Sequence, residues 1–585
     1  MEKVRSSPDS RPPAYTFGKF RLESDGTLLR GEKRISLVSD ELAALRLLLA
    51  QRGKVVTYEE LNEAMGHVSG FKIEKVSDAV ASLRRRLGPE VQIQPVLKRG
   101  FQFTGEAQEL RSAFGAGLPH VAIMPLVAEF GVAEYLVPAV TEETIDRLNR
   151  RRPAVCTLAA KESVAALARR GLTAVEIGRA MRADMVLTGS LRALPAHHRL
   201  RAEMISVEDG RALWTEDVLV ERIHAAGIEI ELAKMVAMRL EGGAVSITAS
   251  ADSGDGEGLE PGHRDAYELY QRARFEWQSL ERHRMQDAVQ HLTRASDLDP
   301  SLTAARVDLA HLAITEAFHG YLAPTVAVEM VRRAARPGFD EVAGGDAIWP
   351  ALGWVNFHYD RDLRAALDAF HRSSHLPHDP WVTRARVMLA LSRGRTEESA
   401  RLINNALNTD PYSAWLHARL AWTHHMNGDA AESVIAAEAA LDQFPSHEGT
   451  ELYAGIILAF NGQAERAGEI VGALAQRRPY FDPATAVHAY TLAVQGKSDE
   501  ARSILERLEW MGRERYVMTS LSAAVYVALG EYENALNELR TANKARCPWF
   551  FQALADPRLA PLRNLPEFEG LKQILVTMER VAQGD

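Results

Sequence analysis

Five glycines, Gly394, Gly428, Gly462, Gly496 and Gly530, stand 34 residues apart. Pro377, Pro411, Pro445 and Pro479 keep the same interval, each 17 residues before a glycine. Small residues follow five positions after each glycine, at Ser399, Ser433, Ala467, Ala501 and Ala535. A period of this length holds two helices and their turns. The glycine closes the first helix because it tolerates left-handed backbone. The small residue lets the two helices cross closely, and the proline stops the second helix. One such pair cannot bury its own apolar face, so neighbours must stack into a superhelix with a concave groove. An earlier copy is visible in "RMQDAVQHLTRASDLDP" (284–300), while 301–376 fit the period more loosely.

This lattice resembles the tetratricopeptide repeat, over about 264–546, with 547–585 expected as a C-terminal cap. The resemblance implies a groove that accepts a helix or an extended peptide, so the expected partner is a protein, a peptide or a second copy of the chain. The lattice also explains Gly496-Lys497-Ser498, which mimics the end of a phosphate-binding loop: position 491 is Thr where that loop needs its first glycine. Trp354, Trp381, Trp415 and Trp422 are expected to pack between helices.

The opposite end has a different pattern. In "KVSDAVASLRRRLG" (75–88), Val76, Val80, Leu83 and Leu87 fall on one helical stripe, and Arg85 points almost directly away from it. Gly88-Pro89 ends the helix. "VQI" and "FQF" then alternate as strands around a Lys98-Arg99-Gly100 turn. Upstream lie short strands in 17–37, a helix from the N-cap candidate Ser39, and a second helix opened by a Thr57/Glu60 capping box.

The order, with "SLVSDELAALRLLL", "GKVVTYEELNEAM", "VASLRRRLG" and "VLKRGFQF", resembles the winged helix-turn-helix domain of OmpR/PhoB-type transcription regulators over 15–105. The resemblance implies a third helix in the DNA major groove and a hairpin wing at the adjacent minor groove. It places Lys75, Asp78, Ser82, Arg84, Arg85 and Arg86 on the helix and Lys98 and Arg99 on the wing as DNA-binding residues. The loop 64–71 would meet RNA polymerase through Val68 and Phe71. Two departures are visible: Ala81 and Ser82 stand where relatives often carry Arg, and Leu97 stands where the wing often begins with one. Phosphate positioning is therefore the firmer expectation than base reading.

Residues 120–241 alternate strand and helix signals, as an α/β sandwich does. "IGRAMRADMVLTGSLRALPAHHRLRAEMISVEDGRALWTEDV" resembles the TolB amino-terminal-like domain. A phosphoacceptor receiver is rejected, because the first strand ends Pro125-Leu126-Val127 with no carboxylate for Mg²⁺. Segments 1–14, 106–119 and 242–263 read as a flexible tail and two linkers, the last rich in Gly, Ser and acid.

Charge separates these regions. The whole chain of 585 residues carries −9, yet 15–105 hold 15 Lys and Arg against 11 Asp and Glu, leaving about −13 elsewhere. Only the N-terminal segment therefore suits a polyanion. Cys156 and Cys547 are the two cysteines, too few for a disulfide framework and suited to a reducing cytoplasm. The N-terminal stretch has no apolar core of a signal peptide, and no window approaches 18 apolar residues, so no membrane span is expected.

His197-His198 and His424-His425 have no Cys or acidic set at ligand spacing, and no nucleophile elbow or carboxylate pair is present. Neither an enzyme nor a metal or other cofactor is expected. The fold class expected is multi-domain: winged helix, α/β sandwich, then an all-α superhelix. The architecture resembles invasion-gene activators of the HilA type, with no receiver domain. The expected function is a soluble, cytoplasmic one-component regulator, an activator binding double-stranded promoter DNA, with a homo-oligomer on DNA allowed. The alternative is a tetratricopeptide scaffold or adaptor whose winged helix is structural.

Overall fold

The computed structural model describes residues 14–22, 28–30, 33–35, 37, 39–65, 73–88, 93–96, 99–105, 107–110, 118–151, 154–221, 227–240, 261–336, 344–374 and 379–584. The chain divides into two compact units, 1–120 with 153–157, and 121–152 with 158–585.

The first unit runs β1 (Ala14–Phe17), β2 (Phe20–Leu22), β3 (Leu28–Arg30), β4 (Lys33–Ile35), α1 (Ser39–Ala50), β5 (Val55–Thr57), α2 (Tyr58–Ala64), α3 (Ile73–Leu87), β6 (Ile93–Val96), β7 (Gly100–Phe103) and β8 (Ala107–Leu110). One sheet is ordered β4-β3-β2-β1-β8 and a second β5-β7-β6. The capping box at Thr57 and Glu60 is present and starts α2. A single core joins Tyr15, Phe17 and Phe20 of the sheet to Leu45, Leu48 and Leu49 of α1 and to the Val76, Val80, Leu83 and Leu87 stripe of α3. Gly100, in the hairpin, leaves no room for a side chain. Its φ is +151°, and a Cβ there would lie 1.9 Å from the Val56 carbonyl oxygen.

Next along the chain, and in the second unit except for the first residue of β9 and of β11, come β9 (His120–Ile123), β10 (Val127–Ala128), α4 (Leu136–Arg150), β11 (Thr157–Leu158), α5 (Lys161–Arg169), α6 (Ala174–Ala180), β12 (Met185–Ala193), β13 (His197–Ser206), β14 (Ala212–Glu221) and α7 (Ile228–Leu240). Strands β9-β12-β13-β14 lie side by side, β9 parallel to β12 and the rest antiparallel. Helix α6 settles on the sheet because Gly178 brings no side chain: a Cβ would meet Val207 at 2.3 Å and Val186 at 2.8 Å. Helix α5 was not anticipated from sequence. Its "KESVAALAR" is short and Ala-rich, and of its buried residues Ser163, Val164, Ala166 and Leu167 only Val164 and Leu167 are large and apolar.

From Pro261 the described residues are mainly helical. Eight pairs are described: α8 (Pro261–Trp277) with α9 (Arg282–Leu298), Thr303–His319 with Pro324–Ala334, Trp349–Asp360 with Leu363–Arg372, Pro380–Ser392 with Thr396–Leu407, Ala414–Asn427 with Ala430–Gln443, Glu448–Phe460 with Ala464–Arg477, Asp482–Val494 with Ser498–Gly512, and Ser522–Ala528 with Tyr532–Lys544. The five lattice glycines have φ between +68° and +85°. Ser399, Ser433, Ala467, Ala501 and Ala535 are fully buried at the crossings. This helical region resembles tetratricopeptide repeats. The loose fit of 301–376 has a local cause: the third pair's first helix ends in a π-helical turn, Val355–Asp360, which breaks the register.

The stack coils back on itself, so that its first two pairs meet the sixth. His319 Nε2 lies 2.9 Å from Glu448 Oε1, and Arg478 donates to the Ser279 carbonyl at 2.9 Å. The last segment, Phe550–Ala555, Pro557–Leu562 and Pro566–Gln583, does more than cap the final pair. Trp549 Nε1 donates to the Phe318 carbonyl at 3.1 Å, and Trp422 Nε1 donates to Gln552 Oε1 at 3.2 Å. Arg361 lies over the Phe550 and Phe551 rings. The groove expected to be open is therefore filled here by the chain's own C-terminal residues. Beside Trp549 a void of only about 10 Å³ remains, room for one water.

Candidate nucleic-acid interface

Burial of its apolar stripe fixes how α3 faces solvent. With Val76, Val80 and Leu83 fully buried, Lys75, Asp78, Arg84 and Arg85 are exposed. The side chains of Lys75, Arg84 and Arg85 form no ion pair among the described residues. Arg99 is exposed in the β6–β7 turn, its N–H bonded to the Val96 carbonyl at 3.0 Å. Cations held this way, without internal carboxylates, are available to phosphates.

Ser82 and Arg86 are placed differently. The Ser82 hydroxyl donates to Glu41 Oε1 at 2.7 Å, and Arg86 Nε donates to the same oxygen at 2.9 Å. Glu41 is 1% exposed in the first turn of α1, while the Arg86 side chain keeps 42% exposure. The pair thus locks α3 onto α1, and only the outer part of Arg86 is left for a ligand. Sequence reading assigned both residues to DNA and missed Glu41; an acid adjoining the Leu42–Leu49 apolar face was the available signal. Lys98, Val68 and Phe71 lie outside the described residues.

The α/β region is seated on the repeats through polar contacts. Arg274 of α8 reaches Glu142 of α4 at 2.5 Å, with Asp146 and Asp308 at 3.5 and 3.8 Å. Against its burial, Arg274 and Lys161 hold Glu142 below its ordinary pKa. Nearby, Tyr267 donates to Glu229 Oε1 at 2.8 Å, and burial pushes Glu229 up to about 7. From α5, Ser163 meets Asp410 at 2.5 Å and Glu162 pairs with Arg384 at 3.1 Å.

Among the described residues no group of three His, Cys, Asp or Glu is arranged to hold a metal. His424 faces Asp429, and buried His425 lies 3.5 Å from Asp556. No described helix is long and apolar enough to cross a membrane. Cys156 and Cys547 are both buried and unpaired.

No protein-family model matches the chain. Over 92 residues it is 29% identical to the transcriptional regulator HilA of Salmonella typhi, a match covering 15% of this chain and 17% of that regulator. Among solved structures, the APC/C hetero-tetramer Cut9-Hcn1 aligns at 16% identity over 61% of this chain and 66% of its own, with a TM-score of 0.37. A tetratricopeptide repeat protein from Parabacteroides merdae aligns at 13% identity over 54% of this chain and 99% of its own, with a TM-score of 0.24. TolB from Acinetobacter baumannii aligns at 20% identity over 22% and 29%, with a TM-score of 0.17.

Proposed function

We propose that the chain is a DNA-binding transcription regulator, an activator, whose first unit is a winged helix of the OmpR/PhoB type. The observation that carries this reading is α3: a fully buried stripe on one side, with Lys75, Arg84 and Arg85 exposed and unpaired among the described residues. Helix α3 enters the major groove, and the β6–β7 hairpin, with Lys98 and Arg99, reaches the adjacent minor groove. Arg84 and Lys98 neutralise phosphates, and Arg85 reads a guanine edge. The local similarity to HilA, a transcriptional regulator, supports the same reading.

In this proposal Val68 and Phe71 contact RNA polymerase, the TolB-like α/β region and the repeats carry regulation, and protein partners or a second copy use surfaces outside the filled interior. The test is genome-wide immunoprecipitation of the tagged full-length chain, beside a variant with Arg84→Ala and Arg85→Ala together. Discrete promoter peaks that vanish in the variant are expected. Peaks that persist unchanged would remove α3 from the interface.

A further inference from the structure

His319 ends the helix Thr303–His319, where the second pair meets the sixth. Both of its ring nitrogens face oxygen acceptors: Nδ1 lies 2.8 Å from the Thr315 carbonyl and Nε2 lies 2.9 Å from Glu448 Oε1. A neutral imidazole has one N–H and one lone pair, so it can serve only one of the two. The imidazolium serves both. Protonating Glu448 instead would also make two hydrogen bonds, but Arg478 Nε stands 3.5 Å from its second oxygen and favours the carboxylate. That second oxygen is buried without a hydrogen-bond partner, so Glu448 depends on the imidazole proton.

The charged groups around the ring come from every element packed on it. Its own helix brings the buried Glu316, the first pair Glu281 and Arg282, the sixth pair His447, Glu448 and Glu451, and the turn beyond it Arg478. His447 Nδ1 accepts from the Thr450 N–H, so that nitrogen carries no proton. Glu451 is paired with Arg477, and Asp482 of the seventh pair with Arg515. The Phe481 and Tyr321 rings close the site, their centroids 5.3 and 5.6 Å from that of His319. Burial by itself would lower the His319 pKa, but the hydrogen bond and charge of Glu448 carry it above the ordinary 6.5.

We propose that this joint is a proton-operated latch: as an imidazolium, His319 holds the second pair against the sixth, and loss of that proton opens the seam. Deprotonated, the ring turns a lone pair toward one of the two oxygens, the Thr315 carbonyl or the Glu448 carboxylate. Because the folded pKa lies above the unfolded one, the latch contributes fully below pH 6.5 and is lost as pH rises through the folded value. The device belongs to the repeats and does not depend on the DNA reading.

The experiment compares the full-length chain with His319→Gln and Glu448→Gln, by denaturant melts and by hydrogen exchange corrected for its intrinsic pH dependence. The range is about pH 7 to pH 9, above the titration of Glu316, which burial pushes up to about 7. Relative to His319→Gln, the wild-type folding equilibrium should fall by up to about tenfold per pH unit until the imidazole has lost its proton. Exchange in Thr303–His319 and Glu448–Phe460 should rise over the same range, ahead of the rest of the stack. Glu448→Gln should stay closed without that slope, because its amide N–H can donate to a neutral Nε2 while Nδ1–H keeps the Thr315 carbonyl. Should His319→Gln fail to fold, wild type against Glu448→Gln decides the question. Parallel pH curves for wild type and the folded variants would overturn the latch. A slope without earlier exchange in these two helices would overturn it too, leaving His319 a fixed buried ion pair.

Discussion

Glu41 separates two kinds of arginine on α3. Arg86 shares its buried carboxylate with Ser82, whereas Arg84 and Arg85 are exposed and unpaired among the described residues. Arg84→Ala or Arg85→Ala should leave the Tm unchanged and weaken DNA binding. A phosphate-contacting arginine should lower the slope of log affinity against log salt by about 0.9. A guanine-reading one should cost about 1–3 kcal/mol on cognate DNA and far less on random DNA. Arg86→Ala should instead destabilise the first unit by about 1–3 kcal/mol, since it strips a buried carboxylate of a donor. Equal Tm values for all three variants would sink this division. Glu229 supplies a second residue-scale outcome, in pH. Its folded pKa, about 7, lies above its unfolded value, so its contribution is fully present at low pH and is lost as pH rises from about 4.5 to 7. Glu229→Gln should remove that slope, gaining on wild type by up to about 3 kcal/mol at pH 8 and little at pH 4. Thermal melts at several pH values decide it.

At the scale of elements, the 34-residue lattice was legible because helix crossings tolerate few residue types. Gly455 makes the constraint concrete: a Cβ there would stand 1.9 Å from Val471 Cγ2, between the two helices of the sixth pair. Gly455→Ala should cost about 1–3 kcal/mol by overpacking, read from denaturant midpoints. An unchanged midpoint would show that the pair can spread without penalty. The α3 stripe was legible for the same reason, being periodic and buried. Helix α5 and the π-helical turn at Val355–Asp360 were not, because neither carries a long apolar period. The Glu41–Arg86 contact was hidden for a different reason: its partners are 45 positions apart and only the fold brings them together.

For the second unit as a whole, the sequence implied an open superhelix with a cap, because a repeat pattern speaks only of neighbours. It cannot report that a later segment returns to fill the interior. Trp549 is 5% exposed and Phe550 and Phe551 are 1% exposed, against helices from Phe318 to Tyr453. Asp556 and Arg558 follow inside, 2.7 Å apart, and against its burial Arg558 holds the Asp556 carboxyl well below the usual range. If this segment were only a terminal cap, Trp549→Ala would disturb the last pair alone. Because it instead ties the second pair to the fifth and sixth, the loss should spread over the whole array. We expect Trp549→Ala to cost about 3–5 kcal/mol and to raise hydrogen exchange in Thr303–His319 as well as in Ser522–Lys544. A chain ending at residue 546 should bind a hydrophobic dye and lose its cooperative melt. Faster exchange confined to Ser522–Lys544 would return the segment to the role of a cap.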